Sequence, residues 1–255
     1  MNRITKKFEG DNKLLSIYFT AGYPKLDDTC KIIEKLEASG VDIVEIGLPF
    51  SDPLADGTTI QKSSKLALAN GMSSDILFNQ LKNIRKKVNI PLIIMGYFNP
   101  ILQYGVDNFC KKCKEIGIDG LIIPDLPVKE YLKSYESIFK KNSLLNIFLI
   151  TPQTNNDRIK FIDSISTGFI YMVSSSSITG VKDGFNENQL NYFKKIKNMN
   201  LKSPKIIGFG ISDSKSFNEA TSFSRGAIIG SAFINFIESN GIDNIKLFIK
   251  NIKVQ

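Results

Sequence analysis

A glutamate closes one of the apolar runs of this sequence, and its residue type suits acid–base chemistry. The run VDIVEIG contains Val41, Ile43 and Ile46, which suit a buried strand, whereas Glu45 is a carboxylate near its end. An unpaired carboxylate among apolar neighbours is costly to bury. Partial burial would raise the pKa of Glu45 and allow it to act as a general acid near neutral pH. A structural ion pair is the alternative interpretation.

Two aspartates follow in the segment FSDPLADG and are the next candidates for chemistry. Asp52 precedes Pro53 and is typical of a turn. Asp56 precedes Gly57 and a helical pattern, so it could simply cap that helix. The sequence contains no histidine, so a general acid or base must be a carboxylate, lysine, tyrosine or cysteine.

Cysteine spacing offers a further candidate site, because Cys110 and Cys113 form a CKKC motif. Zinc needs about four ligands, and Cys30 is the one other cysteine in a chain without histidine. The motif also lies inside a helical pattern and not at a strand-to-helix turn. The sequence therefore predicts reduced thiols and no metal site.

Short apolar runs alternate with helical patterns along the chain, and this alternation predicts the frame that positions these residues. The eight predicted strands are Leu14–Phe19, Asp42–Gly47, Pro91–Met95, Gly120–Ile123, Asn146–Ile150, Phe169–Val173, Lys205–Gly208 and Gly226–Ile229. Eight β-then-α units predict a closed (β/α)8 TIM barrel, with an open parallel sheet as the alternative. No linker divides the chain, so residues 1–255 are predicted to form one domain. An extra N-terminal helix over Asn2–Glu9 could cover the bottom of the barrel.

Composition excludes several classes of function. The chain carries 33 Lys+Arg against 25 Asp+Glu, a net charge of +8, but its lysines are scattered among carboxylates. The lack of a long basic run argues against nucleic-acid binding. No apolar run approaches the ~20 residues that span a bilayer. The N-terminus lacks the apolar core of a signal peptide, so we expect a cytoplasmic protein.

The irregular segment Val44–Gly57, VEIGLPFSDPLADG, resembles position by position the signature of the tryptophan synthase α subunit family. Further segments resemble the family in order and spacing: YFTAGYP (18–24), GYFNPILQYG (96–105), IIPDLPVKE (122–130), YMVSSSSITG (171–180), IIGFGIS (206–212) and IIGSAF (228–233). The resemblance covers the whole chain. It implies a lyase of tryptophan biosynthesis that splits indole-3-glycerol phosphate, by a retro-aldol reaction, into indole and glyceraldehyde 3-phosphate.

The resemblance implies that Glu45 and Asp56 are the catalytic pair. Glu45 would protonate indole C3, which makes that carbon a leaving centre, and could also take the glycerol hydroxyl proton. An ionised Asp56 would accept the indole N1–H and stabilise the positive charge that develops on the ring. These roles require a raised pKa for Glu45 and an ionised Asp56.

The phosphate of that substrate should lie after strands seven and eight, where barrels commonly bind phosphate. The glycines there allow close backbone approach, and the amides at a helix start suit an anion. The residues predicted to bind phosphate are Gly208, Gly210, Gly230 and Ser231, to which the resemblance adds Gly180. The substrate-binding positions implied by the resemblance are Tyr18, Tyr97, Asp125, Tyr171, Thr179, Gly180 and Phe209.

Two departures from the family pattern concern loops and not the carboxylates. Thr58 stands where the family usually has proline, and the lid run SSSSITG has Ser175 and Ser177 where the family commonly has other residues. The chemistry should survive both departures, which instead bear on how tightly the lid closes.

The resemblance also implies a partner. Family members form an α2β2 complex with a β subunit that carries pyridoxal phosphate and receives indole through a tunnel, so no cofactor is expected in this chain. Phe50, Ser51, Asp52 and Pro53, together with Asn99–Gly105, which includes Pro100, should face that partner. One alternative is another phosphate-binding barrel, such as a phosphoribosylanthranilate isomerase-like enzyme, which would lack the Val44–Gly57 segment. The other is a non-catalytic activator, which an intact Glu45 and Asp56 argue against.

Overall fold

Eight parallel strands form a closed ring in the computed structural model, which describes residues 1–54, 56–174 and 184–253. The strands are β1 Leu14–Thr20, β2 Ile43–Gly47, β3 Leu92–Met95, β4 Gly120–Ile122, β5 Leu145–Ile150, β6 Ile170–Val173, β7 Lys205–Gly208 and β8 Gly226–Ile229. Each strand pairs with the next in sequence, and β8 pairs with β1. The prediction of a (β/α)8 barrel is confirmed.

Helices follow the strands and surround the ring. The α-helices are α1 Arg3–Lys7, α2 Thr29–Ala38, α3 Thr58–Ala69, α4 Ser74–Leu81, α5 Phe98–Tyr104, α6 Val106–Ile116, α7 Val128–Glu130, α8 Glu136–Lys141, α9 Asn156–Ile165, α10 Glu187–Asn198, α11 Ser214–Thr221, α12 Ser231–Asn240 and α13 Ile245–Ile252. Short 3-10 turns occupy Leu26–Asp28, Ile84–Lys86 and Ile242–Asn244, and one π-helical turn, Tyr131–Tyr135, joins α7 to α8. Within the described ranges, no helix is both long and apolar enough to cross a membrane.

The predicted strand ends differ from the observed ones by one residue where local chemistry intervenes. Asp42 lies just outside β2, and its side chain accepts the backbone N–H of Leu15 at 3.0 Å. Pro91 precedes β3 because proline has no N–H to donate to a neighbouring strand. The apolar runs therefore locate the strands, and side-chain hydrogen bonds or proline set their limits.

The N-terminal helix closes the bottom of the barrel. It is shorter than the predicted Asn2–Glu9, since Asn2 is the cap and accepts the N–H of Ile4 at 2.9 Å. Ile4 is fully buried, and its side chain lies against Gly120, where a Cβ atom would leave it no room. The buried side chain of Ile4 thus anchors the helix at the bottom of the barrel.

A buried carboxylate, Asp119, ties this end together. It accepts hydrogen bonds from Arg85 at 2.6 Å, from Arg3 at 3.0 Å and from the backbone N–H of Leu92 at 2.9 Å. A buried carboxylate with several donors is well compensated. Asp119 therefore joins α1, the 3-10 turn before β3 and β3 itself.

The two cysteines of the CKKC motif lie within a helix. Cys110 and Cys113 are buried in α6, and burial raises the pKa of the Cys110 thiol to about 12. A buried thiol of high pKa is a poor nucleophile and a poor metal ligand. The described part of the chain also holds no group of three or more Cys, Asp or Glu side chains arranged for a metal ion.

Candidate active site

Glu45 lies on strand β2, and its side chain has no exposed surface. Its Oε1 accepts a hydrogen bond from the Ser16 hydroxyl at 2.7 Å, whereas its buried Oε2 has no hydrogen-bond partner among the described residues. Burial raises the pKa of Glu45 to about 7, and the hydrogen bond from Ser16 opposes that rise. Glu45 takes part in none of the ion pairs between described residues, so the interpretation as a structural ion pair is wrong.

Asp56 lies in the long loop after β2, one residue before the cap of α3. That cap is Gly57, and α3 has no side-chain hydrogen bond at its cap, so the capping interpretation of Asp56 is wrong. The Asp56 carboxylate instead accepts a hydrogen bond from the Tyr97 hydroxyl at 3.2 Å. Burial raises the pKa of Asp56 to about 6, and the Tyr97 hydrogen bond opposes this. Thr58 begins α3, a position that proline also favours.

A cavity opens at the carboxyl ends of the strands, where barrel active sites lie. The predicted site residues that line it are Tyr18, Asp56, Tyr171, Phe209, Gly210, Gly230 and Ser231. The wall also contains residues that the sequence analysis does not predict, namely Ser212 and the apolar residues Ile60, Met95, Ile211, Ile228 and Ala232. Tyr18 is the register partner of Glu45 across β1 and β2, so the Glu45 side chain lies on the same face of the sheet as this cavity-lining tyrosine. An apolar slot with one carboxylate on its surface suits an aromatic ring that carries an N–H group.

Two tyrosines of the cavity each lie over a glycine on the neighbouring strand. The Tyr18 hydroxyl occupies the space that a Cβ atom on Gly47 would need, and the Tyr171 hydroxyl does the same at Gly208. The geometry repeats, because Gly47 and Gly208 pair with the residues two positions after Tyr18 and Tyr171. Gly208, which was predicted to bind phosphate, does not line the cavity. Its missing side chain makes room for Tyr171.

The other end of the cavity presents backbone amides. Helix α12 begins at Ser231, with Gly230 before it, and its first intrahelical bond runs from Ile234 N–H to the Gly230 carbonyl. The N–H groups of the first turn therefore have no partner within the helix, and Ser231 lines the cavity. Gly210 has φ +75°, a left-handed conformation that favours glycine. A helix start beside a glycine turn is a general anion-binding arrangement.

Some predicted residues lie elsewhere. Asp125 accepts the backbone N–H of Phe98 at 2.8 Å and lines a separate cavity with Asn146. Tyr97 is not among the cavity-lining residues, but its hydroxyl donates a hydrogen bond to Asp56, which lines the cavity. The predictions for Thr179 and Gly180, and the lid departures Ser175 and Ser177, lie outside the described residues.

Comparison with protein-family models assigns residues 5–255 to the tryptophan synthase alpha chain model. The chain belongs to the tryptophan synthase α chain family. Members of this family are lyases that cleave indole-3-glycerol phosphate and supply indole to a β subunit. The match extends over nearly the full sequence, so the lyase assignment applies to the whole barrel.

Individual members and solved structures support this assignment. The tryptophan synthase alpha chain of Flavobacterium psychrophilum is 64% identical over 252 residues, which cover 99% of this chain and 100% of that protein. That of Christiangramia forsetii is 64% identical over 253 residues, covering 99% of each. The structure of the alpha chain from Legionella pneumophila aligns with a TM-score of 0.89 and 32% identity, covering 99% of this chain and 96% of that one.

Ser16 is the residue at this site that sequence reasoning missed. It alternates with Tyr18 and Thr20 on β1, so the three side chains lie on one face of the sheet. Three polar or partly polar residues with a period of two inside a buried strand are unusual. That spacing was the available signal for a polar patch within the barrel of this α chain.

The burial of Glu45 predicts a pH-dependent stability. Because its pKa is about 7 in the folded protein and ordinarily 4.5, the unfolded chain releases the proton first as pH rises. The free energy of unfolding should therefore decrease as pH rises from 4.5 to about 7, and it should stay low at higher pH. Glu45→Gln removes the charge, so this variant should match the parent protein near pH 4 and exceed it in stability near pH 8.

Urea unfolding of both proteins at the two pH values measures this difference. Asp56 and the other carboxylates titrate in both proteins, so subtraction isolates Glu45. The same loss of stability in parent and variant would contradict a buried Glu45 that ionises near neutral pH.

Proposed function

We propose that this α chain cleaves indole-3-glycerol phosphate with Glu45 as the proton donor to indole C3 and Asp56 as the acceptor of the indole N1–H. The observation that carries the proposal is the contrast between the two carboxylates. Glu45 is fully buried beside the cavity with Oε2 unpartnered, whereas Asp56 lines the cavity and is held by Tyr97. Two carboxyl groups in different environments can serve as acid and as anion at one pH.

Proton transfer by Glu45 begins the proposed reaction. The Glu45 acid gives its proton to C3 of the indole ring, which makes that carbon tetrahedral and leaves the ring positively charged. Glu45, now a carboxylate, takes the proton of the hydroxyl on the adjacent glycerol carbon. The bond between C3 and that carbon breaks, its electron pair returns to the ring, and the carbon becomes an aldehyde. Glu45 ends the cycle with the proton it began with.

Asp56 stabilises the charged intermediate. The positive charge is shared with N1, so the N1–H becomes a stronger donor and its hydrogen bond to an ionised carboxylate strengthens. Above about pH 6, Asp56 is mostly ionised, and below about pH 7, Glu45 mostly keeps its proton. The two required forms therefore coexist best between these values. The apolar residues of the cavity wall exclude water from the ring.

We also propose that the substrate phosphate binds at Gly210, Gly230 and Ser231. The support is the start of α12, whose first-turn amides face a dianion favourably, and the left-handed turn at Gly210. Gly208 leaves the space that the Tyr171 hydroxyl occupies. The role of Gly180 in phosphate binding stays a prediction from the family resemblance.

The proposed partner is a β subunit that carries pyridoxal phosphate. A related solved structure is of tryptophan synthase from M. tuberculosis in an aminoacrylate-bound form, with a TM-score of 0.86 and 25% identity, covering 99% of this chain and 98% of that chain. We propose that residues 50–53 and 99–105 contact this subunit. Leu54, which directly follows the first segment, is 84% exposed, and Leu102 in the second segment is 48% exposed, so exposed apolar surface lies beside the first and within the second. We further propose that residues 1–255 act as one domain in the cytoplasm.

Indole release tests the catalytic proposal. The chain is incubated with indole-3-glycerol phosphate, with and without a β subunit, and indole is measured directly. Glu45→Gln keeps the shape of the side chain but cannot transfer a proton, so turnover should fall by at least ~10², the usual scale of general acid catalysis. KM should change little. Near-normal turnover in Glu45→Gln would remove Glu45 from the mechanism. A parent chain that stimulates the β subunit but releases no indole would identify an activator.

Asp56→Asn tests the electrostatic role separately. The substitution keeps the shape and removes the negative charge, so kcat should fall by about tenfold or more. Since Asp56 does not cap α3, the thermal midpoint should not fall with it. Turnover equal to that of the parent would show that the charge of Asp56 has no part in cleavage.

Ser231→Asp tests the phosphate site, because it should improve the stability of the protein and at the same time weaken substrate binding. A carboxylate in the first turn of α12 should slightly stabilise the helix, by about 0.3–1 kcal/mol. The same charge should repel the phosphate and raise KM by at least about tenfold. Ser231→Asn, of the same size and uncharged, is the matched control. An unchanged KM in Ser231→Asp would place the phosphate elsewhere.

A further inference from the structure

Ser16 and Glu45 form an isolated polar pair inside the barrel wall. Both side chains have no exposed surface, and the Ser16 hydroxyl lies 2.7 Å from Glu45 Oε1. Ser16 comes two residues before Tyr18, the register partner of Glu45, so the Glu45 carboxyl group reaches back along β1 toward its start. The hydrogen bond therefore fixes the direction of a carboxyl group that could otherwise rotate.

The surroundings of this pair contain no compensating positive charge among the described residues. The ionisable groups that interact with Glu45 are Tyr18 on β1 and Tyr171 on β6. Burial raises the pKa of both tyrosines well above the usual 10, so both stay neutral in the working range. Ser16 is thus the one described group that donates a hydrogen bond to Glu45.

We propose that Ser16 is a positioning residue for the cleavage reaction, which holds Glu45 Oε1 and leaves Oε2 as the oxygen that exchanges the proton with the substrate. The proposal rests on the role of Glu45 proposed above. When Ser16 donates to Oε1, the carboxylic acid proton is directed to Oε2, since an oxygen that accepts this bond is the carbonyl oxygen of the acid. Within the part of the chain that the structure describes, Oε2 has no partner that would compete with the substrate.

A hydroxyl donor suits both protonation states that Glu45 adopts in the proposed reaction. Glu45 gives a proton to C3 and then takes one from the glycerol hydroxyl, so it is neutral and charged in turn. The Ser16 hydroxyl can donate to Oε1 in both states without moving its oxygen. This bond is stronger to the charged form, so it partly offsets the cost of ionising a buried carboxyl group at the step where Glu45 acts as a base.

Ser16→Ala tests the proposal in the full α chain. Without its donor, the Glu45 carboxylate is less stable, so the alkaline limb of the kcat/KM profile should move to higher pH. The maximal kcat should fall by about tenfold, because a hydrogen bond to a charged group is lost. KM should stay unchanged, since Ser16 does not line the cavity. Ser16→Cys keeps the size with a weaker donor, so its shift should have the same direction and be smaller.

Ser63→Ala is the matched control. Ser63 is 1% exposed and its hydroxyl lies 2.6 Å from that of Thr20, so the substitution removes a similarly buried bond without reaching Glu45. Its pH profile should match that of the parent. If Ser16→Ala is too unstable to assay, the profile of Ser16→Cys decides.

The outcomes separate this proposal from the one it rests on. A fall in activity with an unmoved alkaline limb would assign Ser16 a purely structural role and overturn the proposal. Parent-like kinetics in both Ser16 variants, with Glu45→Gln inactive, would overturn it while leaving Glu45 as the acid. Parent-like turnover in Glu45→Gln would overturn the catalytic role of Glu45 itself, and this is measured independently of Ser16.

Discussion

The burial of one carboxyl group without a counter-charge is the constraint on which the rest of the site depends. An uncompensated carboxylate in an apolar wall costs free energy, and a closed strand ring with a large apolar core can tolerate that cost. The opposite end of the barrel shows the usual solution, because Asp119 is surrounded by donors from Arg85, Arg3 and the backbone. The same fold therefore compensates a carboxylate fully where it serves structure and leaves Glu45 with one neutral donor.

The second carboxylate depends on a different part of the architecture. Glu45 is fixed by strand register, whereas Asp56 belongs to a loop and is held by one hydrogen bond from Tyr97. The Tyr97 ring packs against Phe50 at 5.1 Å between centroids, so the segment proposed to face the β subunit is in contact with the partner of Asp56. One carboxylate is thus fixed by the barrel, and the other belongs to the surface where association would occur.

Much of the fold followed from the order of apolar runs, because each buried parallel strand needs a continuous apolar segment and a returning helix. The predicted strands lie within a residue of those observed, and the N-terminal helix is shorter because Asn2 is its cap. Side-chain partners were less accessible. The bond from Ser16 to Glu45 depends on strand register, which spacing alone does not fix, and the choice between a cap and Tyr97 for Asp56 depends on the loop path. Motif resemblance located Glu45 and Asp56, but it could not show that Gly208 serves Tyr171 or that Asp125 faces another cavity.

The two tyrosines that lie over glycines have an evolutionary consequence. At each place, an aromatic ring on one strand and a missing side chain on the next occupy a single volume. A change from glycine to a larger residue is blocked while the tyrosine remains, and loss of the tyrosine alone leaves an unfilled space in the cavity wall. A substitution of the tyrosine alone or of the glycine alone impairs the protein. Sequences that replace either pair must therefore change both positions nearly together. Such coupled positions should covary across homologues, and a library that varies them singly would sample mostly impaired proteins.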